Sequence, residues 1–155
     1  QRCVSVNLEG AFLAAKYGGT MLKATRGAIV LTSSTAGIYG FPNRAPYAAA
    51  KWGIIGLMKT LAMEWGPEGV RANAICPGAV KGPRMQGVME REAAAKDTSY
   101  QHIYDGYAGG TSMRSLVTAE DIANMAVFLC SSGARLVSGQ VIAVDGHTEN
   151  PDPKV

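Results

Sequence analysis

Ser34, Tyr47 and Lys51 are the residues of this chain whose types and spacing could do chemistry, within the stretch SSTAGIYGFPNRAPYAAAK. Tyr47 and Lys51 stand four residues apart where the pattern predicts the start of a helix, so both side chains fall on one helical face. A phenol gives up its proton only near a pH of about 10 and is a poor acid or base at neutrality, but a fixed ammonium beside a phenol favours the phenolate. Such a pair can act as a general acid/base. Ser34 closes an apolar run, GAIVLTSS, that reads as a buried strand. Its hydroxyl is therefore expected at the strand's carboxyl end, where open α/β sheets bind ligands. Ser33 adjoins it, but side chains alternate along an extended segment, so only one of the two serines can face Tyr47.

The elements that must position these groups are legible in outline. Residues 2–24 carry Val4, Leu8, Phe12, Ala15 and Leu22 at mainly three- and four-residue spacings, predicting an amphipathic helix that ends before Gly27. A strand is expected at about 27–33, then a loop with Gly37, Gly40 and two prolines. Tyr47 is read as opening a second long helix, with Trp52, Ile55, Leu61 and Trp65 as its apolar content, ending near Gly66-Pro67. Val70 to Cys76 predict another strand, closed by Pro77-Gly78. Residues 78–117 lack a clear period; one polar helix is expected around Met85–Lys96 and a short one around Ser99–Tyr107. Thr118-Ala-Glu-Asp121 resembles a capping box opening a helix with Ile122, Met125 and Leu129. Gln140 to Val144 predict a last strand. This order calls for a parallel sheet with covering helices, in one domain over 1–146 followed by a polar tail over 147–155.

Composition narrows the function classes. With 47% hydrophobic and 17% charged residues, 155 residues suffice for one globular core and give no sign of disorder. The net charge of +3 is spread from Arg2 to Lys154 without a basic block, so neither nucleic acid nor an anionic membrane is expected as a partner. No apolar run is long enough for a membrane span, and QRCVSVN lacks the order of a signal peptide, which makes a cytoplasmic protein the expectation. Cys3, Cys76 and Cys130 are widely spaced in apolar segments and read as buried free thiols. His102 and His147 have no partner at ligand spacing, so no metal site is expected.

Taken in order, Asn7 in VNLEG, Ser34 with twelve residues between it and Tyr47, the YxxxK of Tyr47 and Lys51, NAICPG at 73–78 and the ending SGQVIAVDG resemble the short-chain dehydrogenase/reductase family. The likeness runs from about residue 4 to 146. It implies a Rossmann-type, doubly wound parallel sheet, of which this chain would be the carboxyl-terminal part, and NAD or NADP as cofactor. In the roles it implies, Tyr47 exchanges a proton with the substrate oxygen, and Lys51 binds the nicotinamide ribose and tunes the Tyr. Ser34 orients the carbonyl or alcohol, and Asn7 helps hold a proton-relaying water. Pro77, Gly78 and Val80 would lie against the nicotinamide. Tyr39, Arg44, Arg84, Met85 and Met113 occupy loops that the family places near substrate, with Tyr39 and Arg84 as the chosen substrate contacts. Met85, Met89 and Met113 could form an adaptable lid or serve as core filler. The helices at 2–24 and 47–65 are the expected interface of a homodimer or homotetramer; otherwise Trp52 and Trp65 simply pack on the sheet. Asn73 is read as structural.

The sequence also departs from the family pattern. Gly82 stands where the family commonly has Thr, and Asp145-Gly146-His147 replaces the usual DGG. No GxxxGxG or GxGxxG turn follows a strand, and the NAG segment is missing; Gly18-Gly19 has the wrong surroundings. In the family these belong to an amino-terminal half that precedes the first helix of this chain. The leading expectation is an NAD(P)-dependent oxidoreductase interconverting a secondary alcohol and a ketone, of the 3-oxoacyl reductase or polyol/alcohol dehydrogenase kind. Dehalogenase-like lyases of the same fold use Arg where Lys51 stands. A truncated, non-catalytic interaction fragment is the alternative.

Overall fold

The computed structural model describes residues 1–150. The chain opens with α1 (Arg2–Val4), a π-helical turn (Ser5–Glu9) and α2 (Gly10–Thr25), which follow one another in unbroken helical backbone. Next come β1 (Ala28–Thr32), a 3-10 turn (Thr35–Gly37) and α3 (Ala45–Trp65). They are followed by β2 (Arg71–Pro77), α4 (Pro83–Ala95), α5 (Tyr100–Gly109), α6 (Ala119–Cys130) and β3 (Val141–Val144). The strands form one parallel sheet in the order β1-β2-β3, with Ala28 opposite Arg71 and Ala74 opposite Val141. Parallel neighbours need long crossovers, which α3 supplies between β1 and β2 and the helices α4 to α6 supply between β2 and β3.

β2 is buried without interruption from Ala72 to Cys76, as a strand covered on both faces must be. Ala72, Ala74 and Cys76 join Ile54, Met58 and Leu61 of α3 in the main core. The alternate residues Asn73 and Ile75 face the other way, the side on which α6 packs. Gly19 of α2 is buried because Trp65 lies against it: a Cβ there would stand 3.0 Å from the indole. That packing explains Gly19 without any phosphate-binding role, while a Cβ at Gly18 would meet nothing within 4 Å. A second, smaller core of Met89, Ala93, Ile103, Ala108 and Leu116 knits α4 and α5 into a cap beyond the strand ends.

Element ends differ from the sequence reading by a residue or two. α3 starts at Ala45, two residues before Tyr47, because Pro46 suits the first turn of a helix, where its missing N–H costs nothing. The capping box at Thr118 and Asp121 forms as predicted, and Ser99 caps α5 by accepting from the His102 N–H at 3.1 Å. Two expectations need correction. Cys76 alone of the three thiols is buried; Cys130 is exposed, because it ends α6 on the side away from the sheet, and Cys3 is half-buried. The start of the supposed polar tail is bound to the domain. The N–H groups of Glu149 and Asn150 both donate to the Gly110 carbonyl, and Thr148 bridges to Thr111. The remainder of that tail, 151–155, lies outside the described residues.

Candidate functional site

The two serines after β1 divide as side-chain alternation requires. Ser33 is buried and its Oγ donates to the Lys51 carbonyl at 2.8 Å, tying the strand end to α3. Ser34 has extended backbone, caps the 3-10 turn by accepting from the Ala36 N–H at 3.2 Å, and lines the cavity beyond the sheet. Gly37 lets this turn press onto α3. A Cβ there would collide with Ser33 Oγ and stand 2.9 Å from the Lys51 carbonyl oxygen.

Lys51 is only 9% exposed. Its Nζ donates to the Thr32 carbonyl at the end of β1, at 3.0 Å, and lies 5.5 Å from the centre of the Tyr47 ring. Burial, reinforced by the positive charge of Arg84, lowers the Lys51 pKa from its ordinary value. Tyr47 itself is half-buried and lines the cavity, as Ser34 does. One helical turn thus supplies a phenol to the cavity and an ammonium anchored behind it.

Asn7 sits within the π-helical turn, a distortion found mostly at functional sites. Its amide donates to the Cys3 carbonyl at 2.9 Å, so Asn7 and Lys51 are not directly bonded to each other. Gly53 of α3 makes room for the adjoining Leu8, whose Cδ2 would be 2.8 Å from a Cβ at that position.

The floor of the cavity is the segment after β2. Gly78 crosses so close to Asp145 that a Cβ would lie 2.9 Å from the Asp145 Cβ. Asp145 is itself buried and accepts from the N–H groups of His147 and Thr148, which folds the 145–148 turn over the strand ends. Val80 bridges in parallel to Val117 through the Ala79 carbonyl and the Lys81 N–H. That pattern turns Val80's own N–H and C=O to the opposite edge. Gly82, the departure from the family's Thr, has φ +154° and ψ 172° as it leads into α4, a conformation essentially reserved for glycine.

The cavity encloses about 390 Å³, within the range of small-molecule sites. Of the expected site residues, Ser34, Tyr47, Gly78, Val80 and Arg84 line it; Lys51, Asn7 and Pro77 are not among the lining residues. Tyr39 is not among the lining residues: it is exposed, and its hydroxyl donates to the Thr148 carbonyl at 3.3 Å. Met85 lines the cavity, Met89 is core and Met113 is exposed, so the three methionines form no common lid. Phe41, Val88, Tyr107, Thr111 and Thr148 also line it, brought together from four segments that no sequence period connects. Partial burial works to raise the pKa of Glu92, but the ammonium of Lys96 and the hydroxyl of Tyr107 override it and hold this carboxyl below its ordinary value. Among the described residues, no cluster suited to a metal ion is present, and no helix is long and apolar enough to cross a membrane.

A family model described as enoyl-(acyl carrier protein) reductase matches residues 1–147. The chain is 36% identical over 146 residues to trans-4-hydroxycyclohexanecarboxylate dehydrogenase of Sinomonas cyclohexanicum, covering 94% of this chain and 50% of that protein. It is also 36% identical to the 3-oxoacyl-[acyl-carrier-protein] reductase FabG of Thermotoga maritima, covering 92% and 54%. Its fold superposes on the F189W variant of actinorhodin polyketide ketoreductase with NADPH at a TM-score of 0.84 and 33% identity, covering 93% of this chain and 56% of that one. The chain spans about half the length of the curated relatives it matches. With its parallel sheet, its serine at a strand end and its YxxxK helix aligned along nearly all of the chain, it belongs to the short-chain dehydrogenase/reductase family.

Proposed function

We propose that the protein carrying this chain is an NAD(P)-dependent oxidoreductase that interconverts a secondary alcohol and a ketone, of the 3-oxoacyl reductase or polyol/alcohol dehydrogenase kind. The observation that carries this reading is the buried ammonium of Lys51 behind Tyr47, with Ser34 on the same cavity wall. The nicotinamide end of the cofactor fits the residues present: Val80 offers a donor and an acceptor on one strand edge for a carboxamide, and Tyr47 and Lys51 offer hydroxyl and ammonium for a ribose. When bound, the cofactor supplies hydride exchange at the substrate carbon. Tyr47 Oη gives the substrate oxygen a proton in reduction and takes it back in oxidation. Ser34 Oγ donates a hydrogen bond to the same oxygen and fixes its position. Lys51 Nζ, anchored on the Thr32 carbonyl, places a positive charge 5.5 Å from the centre of the Tyr47 ring. Asn7, held in the π-helical turn and not bonded to Lys51, would help hold a water that relays protons to the Lys.

The test is Tyr47→Phe in the protein at its natural length. A loss of turnover of roughly 10²- to 10⁴-fold, the usual worth of a positioned acid/base, is expected, with nicotinamide nucleotide affinity largely kept. Retained turnover refutes the reading. We also infer that the protein self-associates through α2 and α3, whose Phe12, Tyr17, Met21, Trp52 and Met63 are at least half exposed. Sedimentation equilibrium decides this: a monomer at micromolar concentration refutes it.

A further inference from the structure

The charge on the cavity wall has one sign. Arg44, Lys81 and Arg84 line it, and among the described residues no aspartate or glutamate does. None of these three cations has an ion-pair partner among the described residues. The acids nearest to them are already engaged: Glu92, within the field of Arg44, is held by Lys96 at 2.8 Å and Tyr107 at 3.0 Å. Asp121, within the field of Lys81, is held by Thr118. Arg84 lies near enough to Lys51 for the two positive charges to disfavour each other. Arg44 stacks over the Phe41 ring at 5.3 Å, which orients its guanidinium plane. The lining also includes the apolar side chains Phe41, Val80, Met85 and Val88.

Positive charge with no ion-pair partner among the described residues, in a cavity that also carries apolar side chains, is suited to an anionic group joined to a hydrocarbon spacer. Guanidinium groups match a carboxylate in fork geometry. We propose that the cavity selects substrates bearing a carboxylate, held by Arg84 and Arg44 while the alcohol or ketone carbon lies at Ser34 and Tyr47. This rests on the oxidoreductase reading above and adds the substrate class to it. A nucleotide phosphate offers the same anionic chemistry, and the experiment separates the two sources.

The probes are oxo acids of four to seven carbons, among them 4-oxopentanoate, each paired with its neutral amide. In the natural-length protein, kcat/KM for the best acid should exceed that for its amide by about 10- to 100-fold, the value of a hydrogen-bonded ion pair. Added salt should shrink the ratio. Arg84→Gln and Arg44→Gln should each bring it towards one, and Arg84→Lys should leave an intermediate ratio because charge survives without the fork. Binding of acid and amide to Tyr47→Phe, followed by ligand-observed NMR, reads the preference apart from turnover. A binding preference without any turnover in the parent protein overturns the redox reading and upholds this one. Equal handling of acid and amide across the panel overturns the proposal. So does an Arg84→Gln variant that loses nucleotide affinity but keeps the acid-to-amide ratio, which assigns the charge to the cofactor's phosphates.

Discussion

Replacing Gly37 by alanine tests how the strand end and α3 are locked together. The added Cβ would meet Ser33 Oγ and stand 2.9 and 3.0 Å from the carbonyl oxygen and carbon of Lys51. Ser33 can rotate away, at the expense of its 2.8 Å hydrogen bond to Lys51, worth about 1 kcal/mol. The Lys51 carbonyl cannot yield unless a turn of α3 moves, and overpacking of this kind costs about 1–3 kcal/mol. The sum is about 2–4 kcal/mol, or a fall in Tm of roughly 4–16 °C for a protein of 150–250 residues. Because the same turn carries Ser34 and the same helical segment carries Tyr47 and Lys51, kcat should fall in parallel. Urea denaturation and steady-state kinetics on Gly37→Ala, Ser33→Ala and the double variant form a cycle. The double variant should be less destabilised than the sum of the singles, since one of the two collisions has been removed. A Gly37→Ala protein within about 0.5 kcal/mol of the parent, with unchanged kcat, refutes the reasoning.

Lys51→Met should raise stability near neutral pH while abolishing turnover. Burial, then Arg84, lowers the Lys51 pKa, so between that lowered value and the unfolded value of about 10.4 the unfolded chain binds more protons. The unfavourable contribution is therefore full below the folded pKa and fades as pH rises through this window, so the advantage of the variant should shrink at alkaline pH; a pH-independent difference in urea midpoint contradicts this. Asn73 is fully buried, donates to the Val137 carbonyl at 2.8 Å and accepts from the Gln140 N–H at 3.1 Å. Asn73→Leu strands both backbone groups, and a loss of about 2–4 kcal/mol in urea denaturation is expected, with KM for nucleotide little changed.

Much of the architecture was legible because local chemistry and fold agree. The apolar run before Ser34, the Pro-Gly after Cys76 and the Thr118 capping box each mark their element in the chain itself, and each element forms there. Strand alternation allowed only one of the two serines to face Tyr47 and the family spacing selected Ser34; the structure points Ser33 at α3 and sets Ser34 on the cavity. The π-helical turn at Asn7 was not legible, since its residues carry an ordinary helical spacing and the distortion is seen only against Gly53 and α3. The partner of Tyr39 was not legible either: its hydroxyl donates to the Thr148 carbonyl, a contact spanning 109 positions.

The sequence by itself determined which residues could move a proton and that Tyr47 and Lys51 share a helical face, because the period of a helix is a local property. It also determined the parallel order of strands and helices, because strand joined to helix joined to strand leaves few other packings. Only the tertiary structure decided that Lys51 would be buried, that Gly82 would need a glycine's backbone, and that Arg44 and Arg84 would line the same cavity. Burial, electrostatic field and cavity shape are sums over residues distant in the chain. They exist only once the sheet, α3 and the α4–α5 cap have closed around the same space.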